Sequence, residues 1–157
     1  MTKRMMLAML ALVGVFLSIY LTLYKLGYIG SLQCAVGSCE TVNTSRWATF
    51  LGLPVAAWGL GFYVSALALS LLGVQEQYED RRWVSVALTG LTGWGVLFSG
   101  WLTYLELFVI NAICMWCVIS AVIVAIMFAI SLADLRDFRA ADASQHPAAI
   151  SEPMADG

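Results

Sequence analysis

Four runs of apolar residues, each long enough to cross a lipid bilayer, decide what this chain can fold into. They are residues 5–26, 54–74, 84–110 and 113–133. A helix needs about 20 predominantly apolar residues to cross a hydrocarbon core of roughly 30 Å, and each run meets that requirement. None alternates apolar and polar residues as a barrel strand does, so helices are the spanning elements. Composition agrees, with 61% of the 157 residues hydrophobic and only 11% Asp, Glu, Lys or Arg, against roughly 25% charged in soluble domains. A soluble fold of this length could not cover such a core with polar surface. The length supports about one domain, too little for an enzyme with separate cofactor and substrate domains. Net charge is −2 and no basic tract occurs, which argues against a nucleic-acid partner. The expected fold is an all-α integral membrane four-helix bundle.

The first run follows Lys3 and Arg4, as a signal peptide would, but its apolar part exceeds about 15 residues and no A-x-A site follows. It is expected to remain as a helix. Lys3, Arg4, Arg81, Arg82, Arg136 and Arg139 fall in the N-terminus, the middle loop and the tail, which share one side of a four-helix chain, whereas Lys25 and Arg46 fall on the other. The positive-inside rule then places both termini and the Gln75–Arg82 loop in the cytoplasm. The loop of residues 27–53 and the Asn111 turn face outward. Residues 134–157 are polar and Ala/Asp/Pro-rich and are expected to form a disordered cytoplasmic tail. It contains the single histidine, His146, which is no candidate catalytic base there.

Small residues recur as Ala57, Gly61 and Ser65 in the second run, as Thr89, Gly93, Ser99 and Gly100 in the third, and as Cys117, Ala121, Ala125 and Ala129 in the fourth. Such stripes allow close helix approach in lipid, so the Cys117 thiol is expected to face the bundle. The cysteines carry the chemistry. Cys34 and Cys39 lie in the outward redox loop, and Cys114 and Cys117 form C-M-W-C at the start of the last helix. All four fall at one membrane face, the oxidising side in bacteria. Positions i and i+3 on a helix lie close enough for a disulfide, and a helix N-terminus favours thiolate. Gly37 and Ser38 would let the loop pair change partners. Three uses of these thiols compete: two static disulfides, a four-thiolate metal site, and a relay of exchanging disulfides. An exposed pair beside a pair at the bilayer rim suits the relay, which would pass electrons from water-soluble thiols to a lipid-soluble oxidant. Glu106, the one acid within a span, is either functional or close enough to the helix end to snorkel. Asn43-Thr44-Ser45 fits a glycosylation sequon, a pattern short enough to arise by chance.

Cys34, Cys39-Glu40-x-Val42, Ser45-Arg46-Trp47, Gly52-Leu53-Pro54-Val55-x-x-Trp58-Gly59 and Cys114-x-x-Cys117, in that order, resemble the vitamin K epoxide reductase family in its bacterial, stand-alone form. The resemblance spans residues 7–133. It implies a four-helix bundle around a quinone (ubiquinone or menaquinone), capped by the outer loop and set in the inner membrane. It also implies a DsbA-like or thioredoxin-like extracytoplasmic partner, a separate protein here because about 24 residues follow the last helix. Carried over by motif, Cys34 exchanges with the partner, Cys39 shuttles electrons to Cys114, and Cys117 faces the quinone. Ser45 belongs to a short helix that closes the pocket, and is equally placed to be an N-cap. Where the animal enzymes carry Asn and Tyr this chain has Val55 and Ala121, which points to a respiratory quinone in place of vitamin K epoxide. The aromatics gathered toward the outer half are common interfacial anchors; Trp58, Phe62 and Trp116 are also candidates to flank the flat ring, with Ala121 leaving room beside the Cys117 thiol. Two other outcomes stay open: a membrane scaffold with two structural disulfides, and the same relay run outward as a reductant exporter.

Overall fold

The computed structural model describes residues 2–31, 34, 37–75, 77–78 and 82–145. Four of its helical segments, Thr2–Lys25, Val55–Val74, Arg82–Ile110 and Met115–Ser144, are long and apolar enough to cross a membrane. The chain is thus an all-α multi-pass membrane bundle. In order it runs α1 (Thr2–Lys25), the short α2 (Cys39–Thr44), a 3-10 turn at Arg46–Ala48, strands β1 (Thr49–Phe50) and β2 (Leu53–Pro54), α3 (Val55–Val74), α4 (Arg82–Leu105), a π-helical turn at Glu106–Ile110, and α5 (Met115–Gln145). Helix α1 packs chiefly along α3 and α4 along α5. Large apolar side chains such as Phe16, Val64, Leu97 and Val122 stay exposed on the outside of the bundle, where the solvent is hydrocarbon.

Close approach comes from glycines facing rings. A Cβ on Gly14 would fall inside the Tyr63 ring, and one on Gly95 would lie 2.7 Å from Phe62. Hydroxyls add interhelical hydrogen bonds, with Tyr63 Oη 2.8 Å from Ser120 Oγ and Thr92 Oγ1 2.9 Å from Ser131 Oγ. The expected small-residue stripes are largely displaced. Gly61 and Gly100 face open space and Ser65, Ala125 and Ala129 are exposed, whereas Gly93, against Phe128, Thr89, on the Ser131 carbonyl, and Cys117, packed against the core as expected, sit at helix contacts. The rotation of each helix is set instead by its buried large residues, Tyr63 on α3 and Met127 on α5.

The last helix does not end near residue 133. Helix α5 continues to Gln145, so the expected tail begins as helix. Its extension has partners: Asp134 lies 3.4 Å from Arg4 Nε and accepts from Ser85 Oγ at 2.5 Å, Phe138 lies under the Arg4 guanidinium, and Asp137 pairs with Lys3. Arg4 is itself only 2% exposed and also donates to the carbonyls of Gly73 (2.6 Å) and Tyr78 (3.3 Å) and to Ser85 Oγ (3.1 Å). One guanidinium therefore ties α1 to the end of α3 and the start of α4, and its ion pair adds α5. Residues 146–157, with His146, and Arg81 lie outside the described residues.

Candidate redox site

Cys34 and Cys39 form a disulfide, and Cys114 and Cys117 are free thiols. The loop that carries the disulfide is stitched to the start of α5. Gly37 and Cys114 form an antiparallel bridge, and Ser38 N–H donates to the Ile113 carbonyl at 3.0 Å. Gly37 adopts φ +91°, and any Cβ there would collide with the Ile113 oxygen. Glycine is needed here for close backbone contact, not for the looseness expected of Gly37 and Ser38. Cys34 is half-buried while Cys39 and Cys114 are both buried in the core.

Asn43, one helical turn after Cys39 on α2, is 8% exposed and spans the two cysteine pairs. Its Nδ2 donates to the Cys39 carbonyl at 3.0 Å and lies 3.8 Å from Cys114 Sγ, while Lys25 Nζ donates to the Asn43 carbonyl at 2.6 Å. An asparagine so buried does not serve as the sequon its neighbours spell. On the other side of Cys114, the π-helical turn ends at Asn111 in the left-handed conformation (φ +51°) and leaves Glu106 only 5% exposed. Glu106 Oε2 accepts the Cys114 N–H at 3.1 Å, and its carboxylate also pairs with the Cys117 thiol. Of the two expectations for Glu106, snorkelling is overturned: the side chain is turned inward. The Cys114 thiol is held down to about 7, first by the hydrogen bond from Cys117, against the opposing effect of burial. The lowering expected at the helix N-terminus thus falls on Cys114.

A cavity of about 590 Å³ opens beside Cys117, between α1, α3, α4 and α5. Of the residues expected to bound a cofactor pocket, Ser45, Trp58 and Phe62 line it. Trp116 and Ala121 do not. Trp116 packs edge-on against Tyr20 at 5.6 Å, and the cavity wall on α5 is formed by Cys117, Ser120 and Val124 instead. That spacing of three and four residues puts them on one helix face; Ala121, at the edge of that face, does not reach the cavity. The small residues Ala57, Gly61 and Ser65 of α3 also line the cavity, so the stripe makes room for a guest where helix packing was expected. Ser45 is no side-chain N-cap; its Oγ donates back to the Val42 carbonyl at 2.7 Å. The chain then folds over the cavity mouth as a two-residue hairpin turning at Leu51 and Gly52, both with positive φ, the signature of a primed turn. Phe50 meets Trp58, Phe98 and Trp101 edge-on there, and the Trp58 indole N–H donates to the Phe50 carbonyl at 3.2 Å.

Sequence reasoning missed Asn43, Lys25 and the Tyr63–Ser120 pair. Asn43 had a signal, since it follows Cys39 by four residues on one helical face. The others depend on how separate helices meet.

A disulfide laid by backbone pairing over a second, reduced cysteine pair, inside a multi-pass helical bundle, defines a membrane disulfide oxidoreductase. The comparison with known families agrees: the model of the vitamin K epoxide reductase family matches residues 5–132. The chain belongs to that family.

Proposed function

We propose that this protein oxidises the dithiol of a DsbA-like or thioredoxin-like protein outside the membrane and passes the electrons to ubiquinone or menaquinone, supporting disulfide-bond formation. In this reading it sits in the bacterial inner membrane with both termini in the cytoplasm, as six basic residues against two favour. The observation that carries the proposal is the order of exposure along the site. Cys34 is half-buried, Cys39 and Cys114 are packed together in the core, and Cys117 borders a membrane-embedded cavity.

The chemistry follows from that order. A partner thiolate attacks Cys34 Sγ, the Cys34–Cys39 bond breaks, and Cys39 is released as a thiolate beside Cys114. When the inner pair is oxidised, Cys39 attacks Cys114 and Cys117 leaves. The second partner thiol then releases Cys34, which attacks Cys39 and frees Cys114; a thiol held down to about 7 is a good leaving group. The outer disulfide is restored and the inner pair is reduced. A bound quinone supplies the two-electron acceptor. The cavity supports this choice: its volume falls in the ordinary range for small-molecule sites, about 300–1,000 Å³, its walls are mainly apolar and aromatic, and Lys25, Asn43, Ser120 and Glu106 give it a polar end.

The deciding experiment adds quinone to reduced protein in lipid nanodiscs and follows the thiols of Cys114 and Cys117. Quinone-dependent closure of that disulfide is the expected result. An inner pair inert to quinone would leave a membrane scaffold with no turnover. Cys39→Ser should trap the partner on Cys34, and a partner trapped on Cys114 would show that the outer pair is not an obligatory shuttle.

A further inference from the structure

We propose that Glu106 is the acid–base partner of Cys117: its carboxyl gives a proton to the Cys117 sulfur when the Cys114–Cys117 disulfide opens and takes one back when that disulfide closes. Glu106 is an ionisable group inside a membrane span, 5% exposed, on the wall of the cavity and paired with the Cys117 thiol. Burying a carboxylate in a span is costly. The task of accepting the Cys114 N–H at 3.1 Å would be met as well by the neutral amide of a glutamine. What a glutamine lacks is an exchangeable proton at the leaving sulfur.

The steps balance. As Cys39 thiolate attacks Cys114 Sγ, the Cys39–Cys114 bond forms and the Cys114–Cys117 bond breaks. The electron pair goes to Cys117 Sγ, which takes the proton of the Glu106 carboxyl and leaves a carboxylate. In the reverse direction the Cys117 S–H gives its proton to that carboxylate as two electrons leave the Cys114/Cys117 pair for an acceptor of the quinone class and the disulfide closes. Besides Cys114, just before α5, and Cys117 on it, the titratable groups among the described residues that line the same cavity are Lys25 of α1, held on the Asn43 carbonyl, and Tyr63 of α3, held on Ser120; Cys39 of α2 is closed in a disulfide.

The proposal rests on the relay described above, yet its test needs neither partner nor quinone. In a variant carrying Cys34→Ser, Cys39→Ser and Cys114→Ser, Cys117 is the one remaining thiol of the four. Its alkylation by N-ethylmaleimide is followed in quinone-free nanodiscs from about pH 6 to 9. Thiolate is the nucleophile, so an unassisted thiol reacts about tenfold faster per pH unit. A thiol that can hand its proton to an adjacent carboxylate forms thiolate at constant net charge, and its rate levels to a plateau toward acid pH. The plateau is expected with Glu106 present. With Glu106→Gln the tenfold-per-unit slope should return, and the rate at the acid end should fall about tenfold or more. A steep slope in the protein that retains Glu106 would overturn the proposal without recourse to any variant at 106. An unchanged plateau in Glu106→Gln would reduce Glu106 to a helix cap and overturn it equally. A plateau alongside an inner pair inert to quinone would support the proton role and sink the quinone reading alone.

Discussion

Asn43 touches both halves of the site, and its amide nitrogen holds the Cys39 carbonyl while lying over Cys114 Sγ. Asn43→Ala should slow formation of the Cys39–Cys114 disulfide by about tenfold, the worth of one hydrogen bond of roughly 1–1.5 kcal/mol, while leaving the Cys34–Cys39 disulfide intact. Quenched-flow mass mapping of the disulfides checks this. The low thiol titration of Cys114 gives a second expectation. Cys114 should be half thiolate at about pH 7 and lose reactivity as pH falls below that. Because a hydrogen bond from Cys117 is the first cause, Cys117→Ala should move the midpoint upward, seen as slower alkylation of Cys114 at neutral pH. At this scale the four cysteines were legible, because two spaced pairs at one membrane face have few other uses. Trp116 was misplaced because a single residue's shift around a helix turns a side chain by about 100°, and only the packed neighbours fix that angle.

Among the elements, the four spans could be read from length and apolarity alone, since a bilayer imposes both. The π-helical turn could not, because residues 107–110 read as ordinary apolar helix and one acid such as Glu106 does not signal a change of helix type; the turn is stabilised by Asn111 in the left-handed region and by Glu106 accepting the Cys114 N–H. The extra twelve residues of α5 escaped for a related reason: Asp134 and Asp137 look solvated until Arg4 and Lys3 are brought beside them. Small-residue stripes misled because a gap for a guest and a gap for a neighbouring helix look alike in sequence. The docking of the redox loop depends on one backbone conformation. Gly37→Ala adds a Cβ that must meet the Ile113 oxygen at φ +91°, so the bridge to Cys114 should part. Partner thiols should still be consumed at Cys34 for one turnover, while transfer to the inner pair drops by at least about tenfold. Steady-state turnover against the single-turnover burst measures the split.

Across the whole molecule, the end opposite the cysteines is held by Arg4. Removing one partner of a buried ion pair costs about 3–5 kcal/mol, so Arg4→Ala should lower the melting temperature in detergent far more than Lys3→Ala, whose ion pair with Asp137 is exposed. Arg4→Met combined with Asp134→Leu should recover part of the loss, because neither charge is then left buried alone. A double variant no more stable than Arg4→Ala would show that the carbonyl contacts, not the ion pair, hold this end.

The same residue has a consequence for biosynthesis. Arg4 leaves the ribosome 130 residues before Asp134, and the Gly73 carbonyl that it also holds comes 69 residues after it. Until Gly73 is made the guanidinium has only water and lipid headgroups to satisfy it, and until Asp134 arrives it has no carboxylate to pair with. The first helix can enter the bilayer early, but it cannot take its final depth until the last one arrives. Nascent chains arrested before Asp134 should therefore leave the N-terminal turn open to an aqueous probe, and chains released past Phe138 should close it. The ion pair that closes this end of the bundle thus forms only once α5 is in place.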